Sequence, residues 1–319
     1  MKVFFLAIVL TLTAVVNSQT TFVKDAVTKT PVSFATISFG DGRGTFAGEE
    51  GEFRFEASKY KDIDSLYISA IGFESKTVAT EGLVSQVFLQ PVASQLEEVV
   101  LTSEKKGKYK KKKLKETTHI NYYNSWLPTV ESEVAAFFER QEGKSTKVAQ
   151  LWLPINSEKE FRKKGNMKFS TLFRIQFYKN DNGLPGDAMV HDDIVFRVSE
   201  QDDEMYELDI SKFQIFIPKG GLYASLQVLG YADPQGKLIQ TKKYNEIETP
   251  RGIQKVSITF RPLLPFTNDL PAQKTFVRRV FFNNKKWQVF DKSYNENSAL
   301  VKTGHVNYGM GALLHVYNK

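Results

Sequence analysis

The sequence predicts an all-β protein with two β-sandwich domains joined by a lysine-rich linker. Three observations support this: alternating apolar and polar residues recur along the chain, glycine-containing turns separate them, and one strongly charged segment divides the chain in two. The 319 residues, 41% hydrophobic and 25% charged, suffice for two folded domains. The sequence has no cysteine, which excludes disulfides, thiol catalysis and zinc–thiolate sites.

Residues 1–18 predict a secretory signal peptide. Lys2 precedes an apolar run from Val3 to Val16, and the small residue Ser18 gives a cleavage site before Gln19. The run is shorter than the roughly 20 residues that a membrane-spanning helix needs, so a retained anchor is the less favoured alternative. We therefore expect an exported protein, in the periplasm or associated with the outer membrane or cell surface.

Residues 19–92 predict the first sandwich. Apolar residues alternate in short runs at Ala35, Ile37 and Phe39, at Phe53 and Phe55, and at Leu66, Ile68 and Ala70. Gly44, Gly51 and Gly72 lie between such runs, where a turn needs a positive φ or two backbone segments approach closely. The pattern therefore indicates an antiparallel sandwich of short strands.

This segment resembles the carboxypeptidase-like regulatory domain, a transthyretin-like β-sandwich found in proteins of the bacterial envelope. The resemblance is carried by VKDAVTKTPVSFATISFGDGRGTFAGEEGEFRFEASKYKDIDSLYISAIGF, and within it by Asp25, Pro31, Val32, Ala35, Ile37, Gly44, Thr45, Gly51, Phe53, Leu66, Ser69, Ile71, Gly72 and Phe73. It implies a Greek-key topology and a structural role for these residues. The segment LEEVVLTSE, residues 96–104, also resembles the stretch that follows this domain in TonB-dependent outer-membrane transporters.

Residues 93–116 predict a linker that holds the excess positive charge. Residues 104–115, EKKGKYKKKKLK, carry a net charge of +7, as does the whole chain, so the remainder is close to neutral. One interpretation is a solvated linker kept extended by self-repulsion. The other is contact with anionic lipid, lipopolysaccharide or acidic polymer. The candidate contact residues are Lys105, Lys106, Lys108, Lys110, Lys111, Lys112, Lys113 and Lys115. Charge confined to one segment argues against a nucleic-acid partner.

Residues 117–319 predict a second sandwich, of jelly-roll type. Its alternating runs include Phe169 to Phe177, Ile194 to Val198, Tyr206 to Ile210, Phe213 to Ile217, Leu222 to Val228, Val256 to Phe260 and Ala312 to Val316. Asp181-Asn182-Gly183 predicts a hairpin turn. Residues 131–142 fit a helix or a strand; we favour a strand, with residues 147–153 as its hairpin partner. Residues 173–189 and 206–228 are similar to non-catalytic β-sandwich modules of bacterial surface proteins.

The sequence predicts no catalytic residue, metal site or cofactor. A metallocarboxypeptidase zinc site commonly begins with His-x-x-Glu, and no glutamate stands three residues after His119, His191, His305 or His315. Two acidic stretches, residues 191–193 (HDD) and 200–204 (EQDDE), have oxygens that would suit a cation. We favour a solvated turn for the first and a solvated hairpin tip for the second.

These features favour a non-enzymatic envelope protein that acts through interaction or scaffolding. Its expected partners are envelope proteins or an anionic lipid or lipopolysaccharide surface. One alternative is a polysaccharide- or peptidoglycan-binding module, which would use exposed aromatic rings such as those near Tyr122, Tyr123 and Trp126. The other is a hydrolase with an unrecognised site, which would need buried convergent carboxylates with a histidine.

Overall fold

A computed structural model describes residues 20–92, 107–158, 168–189, 192–239, 244–249, 252–257, 260–270 and 275–318. The predicted signal peptide, Lys105, Lys106 and His191 lie outside the described residues. The protein is all-β, as predicted, and is built from several mostly antiparallel sheets, one of which curls into a half-barrel. Within the described residues, no helix has the length and apolarity needed to cross a bilayer.

The N-terminal region contains two small sheets. Its strands are β1 (Thr20–Asp25), β2 (Thr36–Ser38), β3 (Gly44–Phe46), β4 (Glu52–Arg54), β5 (Ser65–Ser69), β6 (Lys76–Ala79) and β7 (Gln86–Leu89). One sheet has the order β4-β1-β7, in which β1 and β7 are parallel, and the other has the order β3-β2-β5-β6. Alternating residues of both sheets, including Val23, Ile37 and Leu66, form one buried core.

Two predicted glycine positions have clear backbone reasons. Gly51 has a φ of +73°, and a Cβ there would lie 2.4 Å from the carbonyl oxygen of Val23. Gly44 has an ordinary φ, but a Cβ would lie 2.5 Å from the carbonyl oxygen of Ile37 on the paired strand. Both glycines therefore permit close approach of two backbone segments, as the sequence suggested.

The C-terminal region holds the remaining elements. Its strands are β8 (Tyr109–Leu114), β9 (Ser125–Trp126), β10 (Ser132–Phe138), β11 (Thr146–Pro154), β12 (Asn156–Ser157), β13 (Ser170–Asp181), β14 (Leu184–Ala188), β15 (Ile194–Ser199), β16 (Met205–Asp209), β17 (Leu222–Tyr231), β18 (Tyr244–Thr249), β19 (Gly252–Ser257), β20 (Pro262–Thr267), β21 (Thr275–Arg279), β22 (Gln288–Val289), β23 (Asn307–Tyr308) and β24 (Gly311–Tyr317). The helix α1 spans Ala299–Lys302, and 3-10 turns span Tyr122–Asn124, Gln141–Gly143 and Ser211–Phe213.

Two sheets dominate this region. A seven-stranded sheet has the order β14-β13-β17-β10-β21-β22, with β15 also paired to β13, and a four-stranded sheet has the order β16-β11-β24-β8. The inward residues of both sheets, such as Phe173, Leu226 and Leu314, belong to one large core. A smaller sheet of β12, β20 and β23, with β9 on β20, and the hairpin β18-β19 complete the region.

The structure confirms a strand within residues 131–142 but places it in a different pairing. β10 pairs with β17 and β21, whereas β11 lies in the four-stranded sheet, so the predicted β10–β11 hairpin is wrong. β15 and β16 likewise belong to different sheets, so the acidic turn between them is no hairpin tip. Alternation fixes which face of a strand is buried, but it carries no information about the neighbouring strand.

The predicted strand from Phe213 to Ile217 does not form a ladder. The chain makes a 3-10 turn at Ser211–Phe213 and then runs beside β11 with one isolated bridge between Phe216 and Lys147. Ile215 and Ile217 are buried as the alternation implied. By contrast, Asn182 and Gly183, with φ of 51° and 88°, form the predicted turn between β13 and β14.

The two regions pack directly against each other. Phe34 and Phe46 of the N-terminal region belong to the large C-terminal core, and the Phe46 and Phe281 rings are 5.0 Å apart between centroids. The hydroxyl of Ser38 donates to the carbonyl oxygen of Phe281 at 2.6 Å, and the Lys285 ammonium donates to the Ser69 hydroxyl at 2.8 Å. The loop after β21 is therefore held by N-terminal residues.

The predicted linker differs in part from an unstructured connection. Residues 109–114 form β8, the edge strand of the four-stranded sheet, which pairs with β24 from Tyr109 opposite Tyr317 to Leu114 opposite Ala312. β24 supplies a buried apolar strand with an open edge, and backbone hydrogen bonds to it do not require apolar side chains on β8. The division of the chain into domains at residues 92 and 116 stays a prediction.

Candidate functional site

The candidate site is the lysine strand, which we define as β8 with the flanking residues Lys108 and Lys115. Its six lysines are Lys108, Lys110, Lys111, Lys112, Lys113 and Lys115, and all six are exposed. These are the predicted contact residues that the structure describes. Because the strand is fixed along β24, its charges have defined positions instead of the variable positions of a flexible linker.

The register of the ladder divides the lysines between two faces. Lys111 and Lys113 pair with His315 and Leu313, on the outer face of the sheet, away from the large core. Lys110 and Lys112 alternate with them and lie on the opposite face. This is the face of Leu114, which packs against the large core. Consecutive lysines on one face are about 7 Å apart along the strand.

Aromatic rings support the outer face of the lysine strand. The Lys113 ammonium lies 4.3 Å from the centroid of the Trp152 ring and 3.3 Å from a Glu116 carboxylate oxygen. The Tyr109 ring stacks on His315 with 3.9 Å between centroids and 16° between planes. The Lys113 ammonium therefore lies over an aromatic ring, while its side chain stays 56% exposed.

The histidine at this site is held toward its neutral form. Burial lowers the pKa of His315, and the nearby Lys147 and Lys111 ammonium groups lower it further, while Asp209 opposes them. The lysines thus create a positive local field.

A carboxylate lies near the other face of the strand. Lys144 donates to Glu142 at 2.5 Å and is the main cause of the lowered pKa of that carboxyl group. Lys112 and Lys110 lower the same pKa from a greater distance. Glu142 already has its own partner, so it neutralises little of the lysine charge.

Sequence patterns missed a buried polar cluster, which we define as Glu133, Tyr178, Ser225 and Arg278, on the seven-stranded sheet. The Glu133 carboxylate accepts from the Ser225 hydroxyl at 2.6 Å, the Arg278 Nε at 2.7 Å and the Tyr178 hydroxyl at 2.8 Å. Burial is the main cause that raises the pKa of Tyr178. A weak signal was available, since Glu133 and Tyr178 occupy alternating positions in their strands opposite to the core residues.

The polar cluster is suited to holding strands together. Glu133 is 1% exposed, and its oxygens accept from groups on three other strands, β13, β17 and β21. The ring of Trp287 covers Arg278, with 4.4 Å between the guanidinium carbon and the ring centroid. The Glu133 oxygens are therefore occupied by contacts within the sheet.

A buried arginine connects the two regions. Arg174 donates through Nη2 to the Gln227 side-chain oxygen at 2.6 Å and through Nη1 to the Phe34 carbonyl oxygen at 3.2 Å. Asp193, of the predicted acidic turn at residues 191–193, is 3.4 Å from the same guanidinium. Asp193 thus contacts an arginine.

Each described histidine contacts a backbone carbonyl, a hydroxyl or an aromatic ring. His119 bonds the carbonyl oxygen of Phe266 through Nε2, His305 bonds Thr303 through Nδ1, and His315 stacks on Tyr109. Within the part of the chain that the structure describes, no group of three or more metal-binding side chains comes together.

Each of the three tryptophans has a packing role. Trp126 packs on Phe266 and Phe290, Trp152 lies under Lys113, and Trp287 contacts Arg278 and Tyr178. Trp152 is 7% exposed. An extended aromatic platform for stacking sugar rings would need open ring faces, which these contacts occupy in part.

Comparisons with known proteins reveal no family. No family model matches the chain, and no curated protein matches it. Among solved structures, the chain is similar to the clostridial cysteine protease Cwp84 after propeptide cleavage, at 12% identity and a TM-score of 0.34. The match covers 65% of this chain and 40% of the protease chain, so this chain spans less than half the length of that protein.

Proposed function

We propose that this chain is a non-enzymatic exported protein that acts by interaction or scaffolding at the bacterial envelope, and that its lysine strand contacts an anionic surface. The surface would carry phosphate groups, as anionic lipids and lipopolysaccharide do. In this proposal the N-terminal sheets form the transthyretin-like Greek-key sandwich of a regulatory domain, and the C-terminal sheets form a jelly-roll-like sandwich.

The observation that carries the proposal is the exposure of six lysines on one fixed strand. Within the described residues, Glu116 is the one carboxylate that forms an ion pair with them. Each lysine held near an anionic membrane surface contributes about 1 kcal/mol, and the attraction decays over about 10 Å at 0.1 M salt. Several lysines on one strand therefore suit weak, salt-dependent attachment.

The alternatives have less support. A hydrolase would need a carboxylate free to act on substrate, whereas the buried Glu133 and Glu131 bond to Arg278 and Arg279 at 2.7 and 2.6 Å. A polysaccharide-binding module would need open aromatic faces, and the tryptophan rings pack on neighbouring side chains.

Vesicle co-sedimentation tests the proposal. The full chain is mixed with vesicles of phosphatidylglycerol and phosphatidylcholine, or of phosphatidylcholine alone, at low and high salt. We expect binding only to the anionic vesicles, weakening with salt, and largely lost when Lys110, Lys111, Lys112 and Lys113 are changed to Gln.

A charge-matched control separates this strand from general positive charge. It changes the exposed Lys61, Lys219, Lys292 and Lys302 to Gln, which lie elsewhere on the surface. The proposal predicts that this variant binds like the unmodified chain. Equal loss in both variants, or equal binding to neutral vesicles, would refute a role for the lysine strand.

A further inference from the structure

The four-stranded sheet has opposite charges on its two edges. Its order is β16-β11-β24-β8, so the lysine strand forms one edge and β16 forms the other. β16 is the C-terminal half of the acidic segment, which we define as residues 200–209 (EQDDEMYELD). This segment has six carboxylates and no basic residue. Within the described residues, β8 pairs only with β24 and β16 only with β11.

Both edges present backbone groups in a regular pattern. The Lys108 carbonyl accepts from the Asn318 amide at 3.1 Å, so by alternation Tyr109, Lys111 and Lys113 direct their N–H and C=O groups away from the sheet. On the other edge, the Glu204 carbonyl accepts from the Ile155 amide at 3.0 Å.

The same alternation applies to β16. The Ile210 amide donates to Ala149 at 3.0 Å, which places Met205, Glu207 and Asp209 with their backbone groups pointing outward. Outward backbone groups on an edge strand are available to pair with another strand.

The strand directions permit the two edges to join. Each neighbouring pair in this sheet is antiparallel, so β8 and β16 run in opposite directions. A second copy moved sideways by one sheet width would bring its β16 beside β8 in antiparallel orientation. The ladder would then continue from one copy into the next without a change of pattern.

The side chains on these edges also match. Lys113, Leu313, Gln150 and Asp209 form one row across the outer face through successive Cα partners. Lys111 and Lys113 therefore point to the same side as Glu207 and Asp209. A joined ladder can place Lys111 opposite Asp209 and Lys113 opposite Glu207, where side chains of opposite charge attract.

We propose that copies of this chain associate head to tail, with β8 of one copy paired to β16 of the next. Pairing of two β8 edges would place lysine against lysine, and pairing of two β16 edges would place carboxylate against carboxylate, so charge selects the mixed contact. Such a contact uses two different surfaces and leaves one of each open, so it extends into chains of copies. This inference goes beyond the proposed surface binding, and an anionic surface would compete for the same lysines.

Charge reversal with mixing tests this inference. We compare the unmodified full chain, a basic-edge variant (Lys111→Glu with Lys113→Glu) and an acidic-edge variant (Glu207→Lys with Asp209→Lys) by sedimentation velocity at low salt. We expect the unmodified chain to associate increasingly with concentration and to dissociate at high salt. Each variant alone should be monomeric, and an equal mixture of the two should associate again.

Controls separate a failed contact from a failed fold or a failed surface interaction. Circular dichroism and thermal unfolding establish that each variant is folded, and Glu49→Lys with Glu50→Lys provides the same charge change at exposed positions outside the sheet. The acidic-edge variant keeps its lysine strand, so it should still bind anionic vesicles if the proposed function holds. Monomeric behaviour of the unmodified chain at every concentration, or no association in the mixture of folded variants, would overturn the head-to-tail contact.

Discussion

The Lys113 ammonium lies 4.3 Å from the centroid of the Trp152 ring, and it links the lysine strand to β11 across the intervening strand β24. Trp152 is on the outer face of the sheet, opposite the large core, yet it is 7% exposed. An ammonium group over the face of a tryptophan ring is attracted to the ring electrostatically. Lys113 therefore has a structural role in addition to its charge.

Replacing Lys113 by Ala should uncover the Trp152 ring. We expect a loss of about 0.5–1 kcal/mol in the free energy of unfolding, the usual range for an exposed cation–π contact. Acrylamide quenching of Trp152, measured after Trp126 and Trp287 are changed to Phe, should increase. Lys113→Arg should preserve both values. Lys111→Ala is the control on the same face, and an equal effect there would contradict this role.

The contact between the two regions depends on a glycine. Gly42 has a φ of +95°, and a Cβ there would lie 2.4 Å from the Phe282 ring, whereas Gly82 has a φ of +67° with open space around it. Gly82→Ala should therefore show the backbone cost alone, about 1–2 kcal/mol. Gly42→Ala should lower the free energy of unfolding by about 1–3 kcal/mol more, because the methyl group overpacks the interface.

A second substitution identifies the source of that extra loss. In a double-mutant cycle by urea denaturation, Gly42→Ala should cost less stability in the Phe282→Ala background than in the unmodified chain. Gly82→Ala should cost the same in both backgrounds. An equal cost of Gly42→Ala in the two backgrounds would show that Phe282 does not press on residue 42.

The elements predicted from sequence are those that local patterns determine. The alternating run at Phe169–Phe177 forms β13, and Asn182-Gly183 forms its turn, because side-chain alternation and positive φ are properties of a few adjacent residues. The pairing of β10 was wrong because its partners β17 and β21 are distant in sequence. Nothing in the apolar pattern of β10 distinguishes these partners from β11.

The lysine strand shows a second limit of sequence patterns. Its residues have no apolar alternation, so the charge run predicted an extended linker, and the backbone is indeed extended. Its place at the sheet edge follows from β24, whose residues occur two hundred positions later in the chain. The buried cluster around Glu133 was likewise hidden, because Tyr178, Ser225 and Arg278 meet only in the folded sheet.

The polar cluster should be essential to stability. Glu133→Ala would remove the buried acceptor of the Ser225 and Tyr178 hydroxyls and of the Arg278 Nε, which costs about 3–5 kcal/mol. Replacing both Glu133 and Arg278 by Met should cost less than the sum of the two single changes, because no unpaired charge remains. Urea denaturation of the four proteins measures this coupling. Additive losses would show that the two side chains act independently.

Glu131 should make stability depend on pH in the direction opposite to an ordinary salt bridge. Burial raises the pKa of this carboxyl group above its usual 4.5, and it outweighs the opposing effect of Arg279, whose Nε donates to Glu131 at 2.6 Å. The folded protein therefore binds this proton more tightly than the unfolded chain does. The stabilisation is complete below about pH 4.5 and is lost as the pH rises through the raised pKa.

The test compares the unmodified chain with Glu131→Gln, which mimics the neutral acid and does not titrate. We expect the free energy of unfolding of the unmodified chain, minus that of the variant, to decrease as the pH is raised from 4 toward neutrality, and then to become constant. Urea denaturation at a series of pH values gives this difference. A difference that increases with pH would mean that the ion pair with Arg279, and not burial, governs the titration of Glu131.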